Sequence, residues 1–203
     1  MWMSEAYTEM ERELLLQKVQ MHMSEKRFKH VLGVEETAVA LAEKYGADPE
    51  KASIAALCHD YAKERPDDEF QMVIRRDGFE LDLLNWNNAI WHGVVGADFV
   101  QRELGIDDEE ILNAIRLHTT GAAQMTLLDK IIYVADYIEP GRDFPGVQEA
   151  REIALVDLDE AVAYETKHTL EHLLATEKAV YPKTIETYNY WVAKHNRKGA
   201  DLK

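Results

Sequence analysis

The chain has 203 residues, 46% of them apolar and 30% charged, and its formal charge is −15. That length supports one well-buried domain or two small ones, and no apolar run approaches the roughly 18 residues of a bilayer span. The acid excess argues against general nucleic-acid binding, which needs clustered Lys and Arg, but leaves a small anionic ligand open because salt screens exposed charges beyond about 10 Å.

The start, MWMSEAYTEMERE, is acidic and has no apolar signal core. Cys58 is the single cysteine, so no intramolecular disulfide can form, which fits a reducing cytoplasm. Apolar residues then recur at three- and four-residue spacing almost throughout, without alternating strand runs. A first helix is expected over about 5–22, with Leu14, Leu15, Val19 and Met23 toward one side. Ser24 is a candidate N-cap for a second helix, which stops at Gly46. Asp48-Pro49 reads as an N-cap followed by proline at the first helical position. The helix it opens carries AALCHDYAK and ends before Arg65-Pro66. Shorter helices are expected over 67–77 and 82–90, and another over 92–104 that ends at Gly105. Asp107 reads as the cap of a helix over 108–118, and a further helix fills 125–138 before Glu139-Pro140-Gly141. Asp157 opens a long helix to about 179, and Pro182 stands near the start of a final one. The tail KHNRKGADLK is polar and expected to fray. Connections are short, with no low-complexity linker and no fixed-period repeat. The expected fold class is therefore all-α, in a single domain.

Four of the eight histidines, His30, His59, His92 and His118, fall in separate predicted helices or at their ends, among apolar neighbours. Asp136 sits in IIYVADYIEP, where a lone carboxylate would be costly to bury. A single histidine on a helix is more often a hydrogen-bonded core or rim residue than a ligand. Five or six such residues on separate helices are harder to explain one by one. Helix packing can gather them, and metal ions would explain their burial.

The order His30, His59-Asp60, His92, His118, Asp136 resembles the HD-domain metal-dependent phosphohydrolases. In that superfamily a helical bundle holds one or two metals through a first His, the His-Asp doublet, later histidines and a final Asp. The stretches HDYAKE, WHGVVGA, IRLHTTG, LDKIIYVADYIEPGRDFPGV and DLDEAV are similar to the YqeK family within it, over about residues 25–190. The resemblance implies an HD-domain bundle of about nine to eleven helices over 24–195. The segment 1–23 departs from the compact pattern expected of that family and reads as an N-terminal helical extension, and 196–203 reads as a polar tail. It implies a hydrolase that splits diadenosine tetraphosphate symmetrically into two ADP. It places His30, His59 and Asp136 on one metal and His92 with His118 on another, and it points to iron.

Hydrolysis of a phosphoanhydride needs a strong nucleophile at neutral pH and neutralised charge at phosphorus. Two metals about 3.5–4 Å apart can share one water, lower its pKa and clamp the phosphoryl oxygens. A carboxylate can bridge two metals where an imidazole offers one nitrogen, so Asp60 is the expected bridge. Four imidazoles and two carboxylates favour Fe, Mn, Co, Ni or Zn over Mg or Ca.

Lys63 lies three residues after Asp60 and four after His59, on the same helix face, and is assigned to the transferring phosphate or the leaving group. Arg27, one turn before His30, and Arg142, just past Asp136, are expected to bind the other phosphates. Thr119 can donate to phosphate. The resemblance also places nucleotide contacts in AVYPKT, at Tyr181, Lys183 and Thr184. Cys58, Tyr133, His168 and His172 are read as packing or polar-face residues outside the site. Alternatives are another HD-type nucleotide or cyclic dinucleotide phosphohydrolase, a non-catalytic nucleotide-binding domain and, more remotely, a di-iron oxygenase. The expected partner is a small dinucleoside polyphosphate, with no membrane; a homodimer is compatible with the sequence.

Overall fold

The structure, a computed structural model, describes residues 9–193. The expected polar tail and the first eight residues lie outside that range. Eleven α-helices follow one another: α1 (Glu9–Gln20), α2 (Glu25–Tyr45), α3 (Pro49–Cys58), α4 (Asp67–Arg76), α5 (Asn88–Val94), α6 (Gly96–Leu104), α7 (Glu109–Leu117), α8 (Leu127–Ile138), α9 (Val147–Ala154), α10 (Leu158–Ala175) and α11 (Pro182–Tyr188). A 3₁₀ turn (Leu81–Asn85) precedes α5 and a π turn (Asn189–Ala193) follows α11. No strand occurs among the described residues.

Several ends are where the sequence chemistry puts them. The Ser24 side chain accepts from the Arg27 N–H, and Asp48 and Asp157 each accept from two N–H groups of the helix they open. Gly46 and Gly105 close α2 and α6 with φ of 76° and 73°, a backbone state that glycine reaches without Cβ strain.

Other ends differ from expectation. Asp108, not Asp107, caps α7, accepting from the Glu110 and Ile111 N–H groups. Asp107 accepts instead from the Gln101 side chain. The helix expected over 82–90 is split, because the Asn87 side chain accepts from the Ala89 N–H and starts α5 afresh. The expected 92–104 helix breaks near Val95, which separates α5 from α6. α9 was not anticipated, and α10 stops at Ala175. α3 ends at Cys58, and the next residues run in tight turns, with N–H···O bonds from Tyr61 to Cys58, Lys63 to Asp60 and Arg65 to Ala62. In i→i−3 turns, residues three apart share a side, which places Lys63 on the same side of the segment as Asp60.

α8 sits at the centre. It packs against α2, α3, α7, α9 and α10. Its residues Ile131, Ile132, Tyr133, Val134 and Ala135 are buried. α2 and α3 form the most extensive helix pair, and Val31, Val34, Ala38, Ala55 and Ala56 fill the space between their small faces. α1 lies against α2 and α3 through Leu15 and Val19. It is pinned by the Arg12 guanidinium, whose Nε and Nη2 donate to Glu35 at 2.9 and 2.5 Å. Glu35 also accepts from Ser53 on α3 at 2.6 Å.

Candidate functional site

Five helices bring one cluster together at the floor of a cavity that Asp60, His92, His118 and Asp136 line. His30 comes from α2, His92 from α5 and Asp136 from α8; His59 and His118 follow immediately on the last residues of α3 and α7. The cavity has a volume of about 300 Å³, with Arg27, Asp60, Lys63, Thr119, Asp136 and Arg142 among its lining. A larger depression of about 470 Å³ lies on one face of α4, and its lining holds no histidine.

Helix ends orient the rings. His59 Nδ1 donates to the Ala56 carbonyl at 2.6 Å, His118 Nδ1 to Ile115 at 2.7 Å and His92 Nδ1 to Asn88 at 2.6 Å. The Ala56 and Ile115 carbonyls belong to last turns that lack helical donors, whereas Asn88 opens α5 and lies one turn before His92. Each bond fixes the proton on Nδ1 and leaves the Nε2 lone pair for a ligand. His30 Nδ1 is held instead by Glu139 Oε1 at 3.1 Å.

The free nitrogens converge on Asp60. Its Oδ2 lies 3.7 Å from His30 Nε2 and 3.6 Å from His59 Nε2. Its Oδ1 lies 3.4 Å from His92 Nε2 and 3.7 Å from His118 Nε2. Asp136 Oδ1 is 3.1 Å from His30 Nε2 and 3.9 Å from His59 Nε2. Three overlapping trios, His30-His59-Asp60, His59-His118-Asp136 and Asp60-His92-His118, each offer ligand atoms within 4.8 Å of one another.

This donor set fits divalent metal. His59 Nε2 is buried without any hydrogen-bond partner, a costly state that a bound cation relieves, and His30 Nε2 faces only the Asp136 and Asp60 carboxylates. Burial pushes the His59 imidazole down to about 4, against the pull of Asp60 and Asp136. Burial, with Lys63 and His118 nearby, holds His92 well below its ordinary value. Both rings are thus neutral, the ligating form. Burial works against the Asp60 charge, but the surrounding histidines win and keep its carboxyl well below the usual range.

Three cations rim the cluster. Arg27 Nη1 donates to Asp60 Oδ2 at 2.7 Å. Arg142 donates to the Asp136 carbonyl through Nε at 2.9 Å and to Asp136 Oδ1 through Nη2 at 2.5 Å. Lys63 Nζ stands 3.1 Å from His92 Nε2, and burial lowers its pKa despite the nearby aspartates. Thr119 Oγ1 lies 3.1 Å from both His92 Nε2 and His118 Nε2.

Tyr181, Lys183 and Thr184 are not in the cavity lining. They open α11, where Tyr181 meets Trp86 edge-on at 4.9 Å, Lys183 is exposed and Thr184 is buried. Cys58 and Tyr133 are packed in the core. His168 stacks on Tyr164 at 3.9 Å, and neither it nor His172 belongs to the metal-type trios among the described residues. Glu139, Tyr137, Glu165 and Thr169 went unread in the sequence. Glu139 holds His30 from the Glu-Pro-Gly stretch that ends α8, and the other three line the cavity.

A helical bundle that gathers His, His-Asp, His, His and Asp from five helices, in that chain order, into one cluster defines an HD-domain protein, and the HD domain family model matches residues 27–141. The chain is 50% identical over 184 residues to the symmetrical bis(5'-nucleosyl)-tetraphosphatase of Bacillus subtilis, covering 91% of this chain and 99% of that protein. It is 46% identical to the enzyme of the same name from Halalkalibacterium halodurans, covering 89% and 96%. The crystal structure of a predicted HD superfamily hydrolase involved in NAD metabolism, from Clostridium acetobutylicum, matches with a TM-score of 0.84 at 42% identity, covering 90% of this chain and 97% of that one. The chain belongs to the symmetrical bis(5'-nucleosyl)-tetraphosphatase family of HD-domain proteins.

Proposed function

We propose that this chain hydrolyses diadenosine tetraphosphate between its two central phosphorus atoms and releases two ADP. The observation that carries the reading is the two-sided placement of Asp60. One oxygen faces His30 and His59, and the other faces His92 and His118. The rim of Arg27, Lys63 and Arg142 matches a polyanion, and the relatives matched over nearly their full length carry the name of that activity.

In this reading His30, His59 and Asp136 would hold one divalent metal and His92 with His118 a second, with Asp60 available to both. Such ions supply an acidified water and positive charge at phosphoryl oxygens. The mixed imidazole and carboxylate set suits iron, manganese, cobalt, nickel or zinc, and iron is read ahead of the others only on the resemblance to the YqeK family. Lys63, whose Nζ stands 3.1 Å from His92 Nε2, neutralises charge that builds on the oxygens of the phosphorus under attack. Arg27 and Arg142 steer the flanking phosphates through guanidinium N–H groups not engaged with Asp60 and Asp136. Thr119 orients a phosphate oxygen. The water oxygen bonds to one central phosphorus, the bond from that phosphorus to the central bridging oxygen breaks, and the bridging oxygen departs with the second ADP. Tyr181 and Lys183, at the start of α11, serve the outer part of the dinucleotide; Thr184 is buried and braces that start, its N–H bonding the Tyr181 carbonyl at 2.9 Å.

Chromatography of the products formed by metal-loaded protein tests this. ADP should be the sole nucleotide released. Equimolar AMP and ATP would overturn the symmetrical cut, and tight nucleotide binding without turnover under each of these metals would overturn the enzyme reading.

A further inference from the structure

The cavity has two chemically different walls. One carries Arg27, Lys63 and Arg142. The other, formed by α8 and α10, carries Tyr137, Glu165 and Thr169. Glu165 is only 7% exposed, and its Oε2 is buried with no hydrogen-bond partner. A buried carboxyl left without partners costs on the order of 1–3 kcal/mol or more, and nothing in the surrounding core answers it. Thr169 follows one turn later on the same helix and adds a hydroxyl. Tyr137 adds an aromatic ring, backed edge-on by Phe144 at 4.9 Å.

We propose that this wall is a nucleoside subsite, in which Glu165 binds the ribose hydroxyls of one ADP unit while Thr169 supports them and Tyr137 offers its ring to the base. The assignment rests on the hydrolase reading above. A carboxylate repels phosphate, so Glu165 does not suit the polyphosphate, which the cationic wall already fits. A vicinal diol suits it in either protonation state. The carboxylate accepts from both hydroxyls, and the acid donates to one and accepts from the other. Burial raises the Glu165 pKa, with the Asp136 charge acting the same way, and this leaves the diol contact intact. Loss of a buried hydrogen bond to such a group weakens binding by about tenfold or more.

Calorimetric titration of the metal-loaded protein with ADP, 2',3'-dideoxy-ADP and inorganic pyrophosphate tests the assignment without depending on turnover. The wild type should bind dideoxy-ADP about tenfold more weakly than ADP. Glu165→Ala should bind the two nucleotides equally, with pyrophosphate affinity unchanged. Glu165→Gln, close to isosteric, should lose part of the discrimination and covers the case in which the alanine variant fails to fold. Equal binding of ADP and dideoxy-ADP by the wild type overturns the inference. So does discrimination that survives in both variants, or a pyrophosphate affinity that falls with that of ADP. A protein that discriminates sugars in this way but releases AMP and ATP from the tetraphosphate would overturn the symmetrical reading and keep the subsite.

Discussion

His30 turns its Nε2 toward Asp136 and Asp60 while its Nδ1 lies 3.1 Å from Glu139 Oε1. The other three rings are aimed by backbone carbonyls, so His30 alone depends on a side chain for its orientation. Glu139 is itself fixed by the Gly141 N–H and confined by Gly33, where an added Cβ would come within 2.6 Å of Glu139 Oε2. Partners of this kind typically set metal affinity by 10–100-fold. Glu139→Gln keeps an acceptor but loses the charge that favours the Nδ1 proton. Its metal affinity, measured by competition with a chelator, should fall about tenfold with unchanged helical circular dichroism. Unaltered affinity would remove Glu139 from the positioning role. The six residues of the cluster were legible because histidines and aspartates amid apolar helices are conspicuous. Glu139 was not, because a glutamate before Pro-Gly reads as a helix end and its partner lies 109 residues away. Glu165 was hidden in a charged stretch of α10, and only the fold turns it to the cavity.

At the level of elements, the caps were the readable part. Ser24, Asp48 and Asp157 act through their own neighbours, so local chemistry identifies them. The break between α5 and α6 depends on tertiary packing and was missed. There, α5 approaches α7 closely enough that a Cβ on Gly93 would stand 3.3 Å from the Arg116 carbonyl and 3.4 Å from Ile115 O and His118 Cε1. Two of those atoms are backbone and give way poorly. Gly93→Ala gains about 1 kcal/mol of helix propensity, which offsets the crowding, so its melting temperature should stay within a few degrees of wild type. The spacing of His92 and His118, whose Nε2 atoms are 3.0 Å apart, should widen. Misplacement of reacting groups by even a fraction of an ångström is expensive, and turnover should drop by about tenfold. A variant with full turnover would show that α5 and α7 tolerate the displacement.

Across the whole molecule, the cluster draws on α2, α3, α5, α7 and α8, a span from residue 30 to residue 136. These helices also supply most of the core, with α8 packed against α2, α3 and α7. A divalent ion held by ligands from several of them binds the folded chain and has no comparable site in the unfolded one. Its binding free energy therefore adds to the stability of the whole domain, and at a free metal concentration 100-fold above Kd the gain is about 2.7 kcal/mol. For a chain of this length, 1 kcal/mol at the midpoint corresponds to roughly 2–4 °C. Stripping metal with a chelator should therefore lower the melting temperature by several degrees, and readdition should restore it. Asp60→Asn, which keeps the side chain's shape but weakens the shared ligand, should lose most of that metal-dependent shift. Any stabilisation that divalent ions gave by screening the diffuse acidic surface, net charge −15, would be insensitive to one buried aspartate. A shift that persists in Asp60→Asn would therefore assign the stabilisation to surface carboxylates and not to the histidine–aspartate cluster.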